Sequence, residues 1–242
     1  MKKRITILAN TKRKGDGVCI AGIDQDGSWI RPVKVGGNYI EKKDLFSGDN
    51  VIIDTFYEVD VVLDRYIPNP PNTEDYKISD DTKPVLVRKI VTDNERLEFL
   101  TRFADPCVDE IFNGGKRALG LVKCKEIINV DAGWCRDGKF YNTITFKDNS
   151  SKEYTLSVTD LRWAAFKKHF IKSNNLQSIQ LNNREIIKLC RPESIFFSLG
   201  LARETDMKMK ELIIGVFTIP DYAECKNFQD LQLMEKSIDM AV

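Results

Sequence analysis

Along the first half of the chain, apolar positions come in short runs broken by turn residues, the mark of short strands. Lys3–Ala9 is one such run, and the basic segment Asn10–Asp16 leads to another at Gly17–Ile23. Asp26-Gly27 is a tight-turn pair between that run and Ser28–Val35, which predicts a hairpin. Pro32 puts the second of these strands at an edge or a bulge, because proline donates no ladder hydrogen bond. Asp49–Leu63 reads as a long strand bent near Thr55–Glu58. Tyr66–Asp81, rich in proline and asparagine, reads as an irregular loop, and Pro84–Ile90 as a further strand.

The period then changes. Thr92 with Glu95 forms a capping-box pattern, and Leu97, Leu100 and Ala104 keep helical spacing. Pro106 starts a short second helix at Cys107–Phe112. Strand patterns return at Gly120–Val130, Lys139–Phe146 and Glu153–Val158. Asp160–Lys172 is helical, with Trp163, Phe166 and Phe170 in one apolar stripe and Arg162, Lys167, Lys168, His169 and Lys172 off it. Asn174–Asn183 is polar and loop-like. Strands follow at Ser194–Leu201 and Glu211–Ile219, and the residues after Asp221 form a helix or tail.

This pattern predicts a mainly β protein with some α+β content: two small five-stranded barrels, each with inserted or flanking helices. OB, SH3-like and PUA-like barrels share such a pattern; the OB barrel is the commonest of this size with a helix between its strands, and two of them account for 242 residues. The division falls near residues 105–118. Residues 1–115 form the first barrel with a helical extension, and 116–242 the second, with the helix at 160–172 and a C-terminal tail.

Composition narrows the function classes. At 42% hydrophobic and 30% charged residues, the chain is an ordinary folded protein rather than a disordered one. A net charge of +1 excludes a wholly basic binder and leaves room for a local patch. One histidine excludes a His-rich metal centre, and six cysteines with no CxxC pair argue against structural zinc. No metal or other cofactor is therefore expected. No apolar run approaches a membrane span, and Ile5–Ala9 is too short for the core of a signal peptide. Free thiols in a reducing cytoplasm, with no membrane partner, are the expectation.

Several segments together resemble a known family. They are Cys19-x-Ala21-Gly22-Ile23-Asp24, Gly27-x-Trp29-Ile30-Arg31-Pro32-Val33, Val158-Thr159-Asp160-Leu161-Arg162-Trp163, Ser198-Leu199-Gly200-Leu201-Ala202-Arg203, and Gly215-Val216-Phe217-Thr218-Ile219-Pro220-Asp221-Tyr222. Their ordered set, spread from end to end, resembles the bacterial dual OB-fold domain proteins. The resemblance implies two OB barrels and a nucleic-acid-binding or sensing role. It also implies a place in bacterial mobile-element or anti-phage defence systems, with a protein partner from the same operon. It carries over no catalytic residue.

The candidate site residues come from chemistry. Residues 1–16 hold six cations, among them Lys12, Arg13 and Lys14, against Asp16 alone, and the loop after the first strand of an OB barrel borders its ligand groove. Phosphate contact there would weaken with salt. Trp29, Arg31 and Lys34 offer a stacking ring with cations; the competing reading makes Trp29 core and pairs Arg31 with an acid such as Asp24 or Asp26. Trp134 and Arg136 form a second aromatic–cation pair, read as lying in a loop, and Lys168 sits on the basic face of the helix at 160–172. The leading expectation is a non-catalytic module binding single-stranded or structured nucleic acid, or a nucleotide. A protein-interaction adaptor is the alternative. A metal-dependent enzyme using Asp54, Glu58, Asp60 and Asp64 on one strand face is a third reading.

Overall fold

The computed structural model describes residues 1–12, 17–36, 40–47, 51–79, 82–113, 117–203, 209–224 and 226–239. Seven strands build the first sheet: β1 (Lys2–Lys12), β2 (Gly17–Asp24), β3 (Trp29–Val33), β4 (Ile40–Glu41), β5 (Tyr57–Tyr66), β6 (Asp75–Ile78) and β7 (Val85–Lys89). The order β1-β2-β3-β6-β5 closes on itself because β5 also pairs with β1. Only the β3–β6 pair within it is parallel. β4 and β7 are additions, on β2 and β5.

Two helices, α1 (Asp93–Phe103) and α2 (Val108–Phe112), lead to the second sheet. Its strands are β8 (Leu119–Trp134), β9 (Phe140–Asp148), β10 (Glu153–Val158), β11 (Ser178–Asn182), β12 (Ser194–Arg203) and β13 (Met209–Ile219). The order β8-β9-β10-β13-β12 closes through β12–β8, again with one parallel pair, β10–β13. Both barrels thus run 1-2-3-5-4 and return to strand 1, the Greek-key connectivity of the OB barrel. The protein is two closed five-stranded OB barrels.

The connection from third to fourth strand separates them. In the first barrel it holds a four-residue 3-10 helix, Lys42–Leu45, that buries Leu45. In the second it holds α3 (Leu161–Ser173), started by Asp160, whose Oδ1 accepts the N–H groups of Arg162 and Trp163.

Five elements depart from the sequence reading. β6 and β11 lie inside segments read as loops, and each is specified by a partner strand distant in sequence. The long strand predicted from residue 49 begins only at Tyr57, after Phe56 turns the chain at φ 63°. α4 (Asn183–Cys190) has a capping box of Asn182 and Glu185. The polar side predicted for the helix at 160–172 is not all solvated: Arg162 and Lys167 are buried, because α5 (Phe228–Asp239) packs over α3. Lys167 Nζ lies 4.2 Å from the centre of the Trp163 ring, and burial pushes its pKa down to about 8.

Two apolar clusters fill the barrels, one around Ile5, Ile7, Ile20 and Val59, the other around Ile144, Phe146, Phe197 and Val216. A third belongs to both barrels, joining Leu8, Ile23, Trp29 and Phe56 to Leu121, Phe196 and Phe217. Ile7 and Leu8 are neighbours and serve different clusters, as strand alternation requires. The approach is close: a Cβ on Gly215 would lie 2.4 Å from the Leu8 carbonyl oxygen, so only glycine fits there.

Candidate functional site

In a barrel of this connectivity, ligands bind on the second and third strands, between the loops that follow strands one and four. In the first barrel these are β2 and β3, the segment after β1, and the β5–β6 loop at 67–74. Strands β12 and β13 of the second barrel stand opposite, and a cleft of about 600 Å³ lies between the two barrels. Its first-barrel side carries Lys12, Arg31 and Lys34 among Ile20, Val33 and Ile67. The opposite side is apolar: Leu201, Leu212 and Ile214, with Gly200 between them.

The strands set each cation differently. Lys12 ends β1, opposite Val18, is exposed, and makes no ion pair among the described residues. Arg31 and Asp75 are register partners of the parallel β3–β6 pair, and Arg31 Nε donates to Asp75 Oδ1 at 2.6 Å. Burial opposes the Arg31 charge, yet the Asp75 hydrogen bond and charge outweigh it and hold the guanidinium above its ordinary pKa. Lys34 Nζ donates to Asp44 Oδ2 at 2.7 Å. Beyond them, Asn69 and Asn72 exchange backbone hydrogen bonds at 2.9 Å in a narrow turn, and both line the cleft. Asn72 Oδ1 is buried and has no hydrogen-bond partner among the described residues.

Glu74 ties this loop to the second barrel. Its carbonyl oxygen accepts the Arg31 N–H at 2.8 Å. Its carboxylate Oε1 accepts the N–H groups of Ala118 and Leu119 at 2.7 and 3.1 Å.

The predicted site residues therefore divide. Lys12, Arg31 and Lys34 come together at the cleft. Trp29 does not join them: it is 7% exposed and packs in the cluster shared by the barrels, because its strand face is covered by the second barrel. Arg31 pairs with Asp75 rather than with Asp24 or Asp26. Arg13 and Lys14 lie outside the described residues. Trp134 ends β8 instead of lying in a loop; it is half-buried, edge-on to Phe140 at 5.1 Å, on a small cluster with Ile171 and Ile179. Arg136 is exposed in the following turn, and Lys168 Nζ stands 5.2 Å from the Phe140 ring centre. These three form a separate patch on the second barrel.

The second barrel's own second and third strands carry a different surface. Thr143, Thr145, Thr155 and Ser157 face outward, with a hydroxyl–hydroxyl bond of 3.0 Å between Thr145 and Thr155. The cation there, Lys147, pairs with Glu126. The acidic row of the first barrel is dispersed. Asp54 is buried and accepts the Phe228 and Thr55 N–H groups. Glu58 pairs with Arg88, Asp60 with Arg4 and Lys2, and Asp64 with Lys77.

A second seam joins the barrels through charge. Asp221 Oδ2 accepts from Arg96 of α1 and Arg162 of α3, both at 2.6 Å. Arg96 also stacks on Phe56 and Arg162 on Tyr222. Burial works against the Asp221 charge, but the two guanidiniums hold its carboxyl down at about 2. Asp160 accepts Val216 N–H beside this group, and burial raises its carboxyl to about 7.

Sequence reasoning missed Asp75, Asn69, Asn72, Glu74 and the whole second-barrel wall of the cleft. Only strand order reveals the loop at 67–74 as the one beside the ligand face.

Residues 3–183 match the family model described as the dual OB-containing domain. No curated protein matches the chain.

Proposed function

The chain belongs to the dual OB-containing domain family, and from that premise we propose that it is a non-catalytic module that binds nucleic acid at the cleft between its barrels. One observation carries the reading: part of the ligand face of the first barrel stands open opposite the second, and Lys12, Arg31 and Lys34 line it. Cations at the mouth position phosphates, and the apolar walls take up bases. The reading extends to a sensor in a bacterial system directed at mobile or invading genetic elements, acting in the cytoplasm with a protein encoded beside it. Cys107, Cys124, Cys135 and Cys190 form no disulfide among the described residues, which fits a reducing compartment.

Fluorescence anisotropy with labelled single-stranded DNA, duplex DNA and structured RNA tests it. Each phosphate contact on a single strand predicts roughly a 3-fold loss of affinity between 50 and 200 mM salt. Absence of binding to all three probes at the lower salt overturns the reading.

A second reading, a protein adaptor, is favoured by β7. Among the described residues this strand pairs with β5 alone, and it exposes Val85 and Val87, an edge open to strand addition. A partner retained after nuclease treatment, and lost on Val87→Lys, would establish it.

A further inference from the structure

We infer that the cleft holds one nucleoside 5′-phosphate, as a free nucleotide or as the 5′-terminal nucleotide of a strand, and not a strand running through. The inference rests on the reading that the cleft binds nucleic acid and deepens it.

Four features point to it. A strand running through an OB groove is held by successive bases stacked on aromatic rings. None of the described residues lining this cleft is aromatic. Trp29, the ring that the sequence offers there, is turned into the shared core. Trp134 and Phe140 belong to the separate patch on the second barrel.

The charge count is the second feature. Arg31 is tied to Asp75 and Lys34 to Asp44, while Lys12 makes no ion pair among the described residues. Among the described residues, one uncompensated cation stands at the cleft, and it suits one phosphate group. Lys34 can turn to the same phosphate by leaving Asp44, a half-buried partner.

The third is shape. Val33 and Ile67 come from one barrel, Leu212 and Ile214 from the other, so a flat base is held between aliphatic walls. A volume of about 600 Å³ lies within the range of small-molecule sites. The fourth is the pair of carboxamides, Asn69 and Asn72, in the cleft wall. A carboxamide offers donors and an acceptor to the edge of a base.

The test uses the full-length protein and one labelled 12-nucleotide DNA in three forms: 5′-phosphorylated, 5′-hydroxyl and circular. Adenosine and guanosine 5′-monophosphates, adenosine and inorganic phosphate serve as competitors. The 5′-phosphorylated form should bind best. Losing a hydrogen bond to a charged group weakens binding by roughly 10-fold or more, so the 5′-hydroxyl and circular forms should each fall by that factor. Nucleoside 5′-phosphates should compete, and adenosine and inorganic phosphate should not. Lys12→Ala should weaken the phosphorylated form alone, and Ala202→Phe, which fills the slot from its second-barrel side, should block both strand and nucleotide. Binding of free nucleotides without any strand identifies the nucleotide as the ligand; preference for the phosphorylated strand over free nucleotides identifies the strand terminus. Equal binding of linear and circular forms, with no competition by nucleotides, overturns this inference and leaves the nucleic-acid reading standing. No binding of any strand or nucleotide overturns both.

Discussion

The two seams between the barrels are built from opposite chemistry. At the cleft, Lys12, Arg31 and Lys34 stand on one wall of an open volume, Lys12 exposed and the other two half-buried beside acids. At the second seam, Asp221, Arg96, Arg162, Asp160 and Asp54 are withdrawn from water and bonded to one another or to backbone. The first seam keeps charge available. The second commits it. The contrast teaches that a cationic residue count says nothing of ligand affinity until burial and partners are known: Arg162 and Lys12 are both basic residues, and one holds the fold while the other is free to meet an anion.

Substitutions can break this contrast, and they rank by expected size. Asp221→Ala strands two buried guanidiniums and should lower unfolding stability by about 3–5 kcal/mol in a denaturant titration. Ligand affinity of the remaining folded protein should not change. Gly215→Val drives a side chain into the Leu8 carbonyl and should cost about 1–3 kcal/mol by the same measurement. Stability should also respond to pH. The folded-state pKa of Asp160 is raised to about 7, so its contribution is full below the ordinary carboxyl range and is lost as pH rises through 7. Asp221 acts in reverse: its carboxyl sits near 2, so its contribution is full above the ordinary range and disappears as pH falls toward 2. From these two groups a stability maximum near the ordinary carboxyl pKa, about pH 4, is expected, with Asp160→Asn flattening the decline above it in thermal melts at a series of pH values. Lys12→Ala is the smallest effect on the fold, within about 0.5 kcal/mol. On the 5′-phosphorylated single strand it should reduce the salt slope by about 0.7. A large loss of stability in Lys12→Ala, or a large loss of affinity in Asp221→Ala, would erase the distinction between the seams.

Much of each barrel was legible because its signals are local. Asp26-Gly27 is a turn with Gly27 at φ 86°, and Thr92 Oγ1 does accept the Glu95 N–H that its spacing promised. The stripe of Trp163 and Phe166 faces the core of the second barrel as its period required. The failures share one cause. β6 is a strand only because β3 lies parallel to it, and its four residues follow a proline-rich loop that masks them. β11 depends likewise on β8. Asn182 and Glu185 did carry a helix signal, hidden by the polar residues before them. Lys167 looks solvated on a helical wheel and is buried because of a helix some sixty residues later, which no local period encodes. The candidate site was half legible. Lys12, Arg31 and Lys34 were visible as a cationic set beside one face. Their pairing acids and the far wall came from elsewhere in the chain.

The apolar cluster shared by the barrels has a consequence for assembly. Leu8, Ile23 and Trp29 are shielded from water by Leu121, Phe196 and Phe217, so each barrel supplies part of the other's interior. Such a seam has the character of an obligate heterodimer interface written into one polypeptide. An obligate dimer loses its subunits on dilution; here the segment holding α1 and α2 supplies a fixed effective concentration of one barrel for the other. The pair therefore stays docked at any dilution, and a cleft formed by two partners is as permanent as one carved into a single domain.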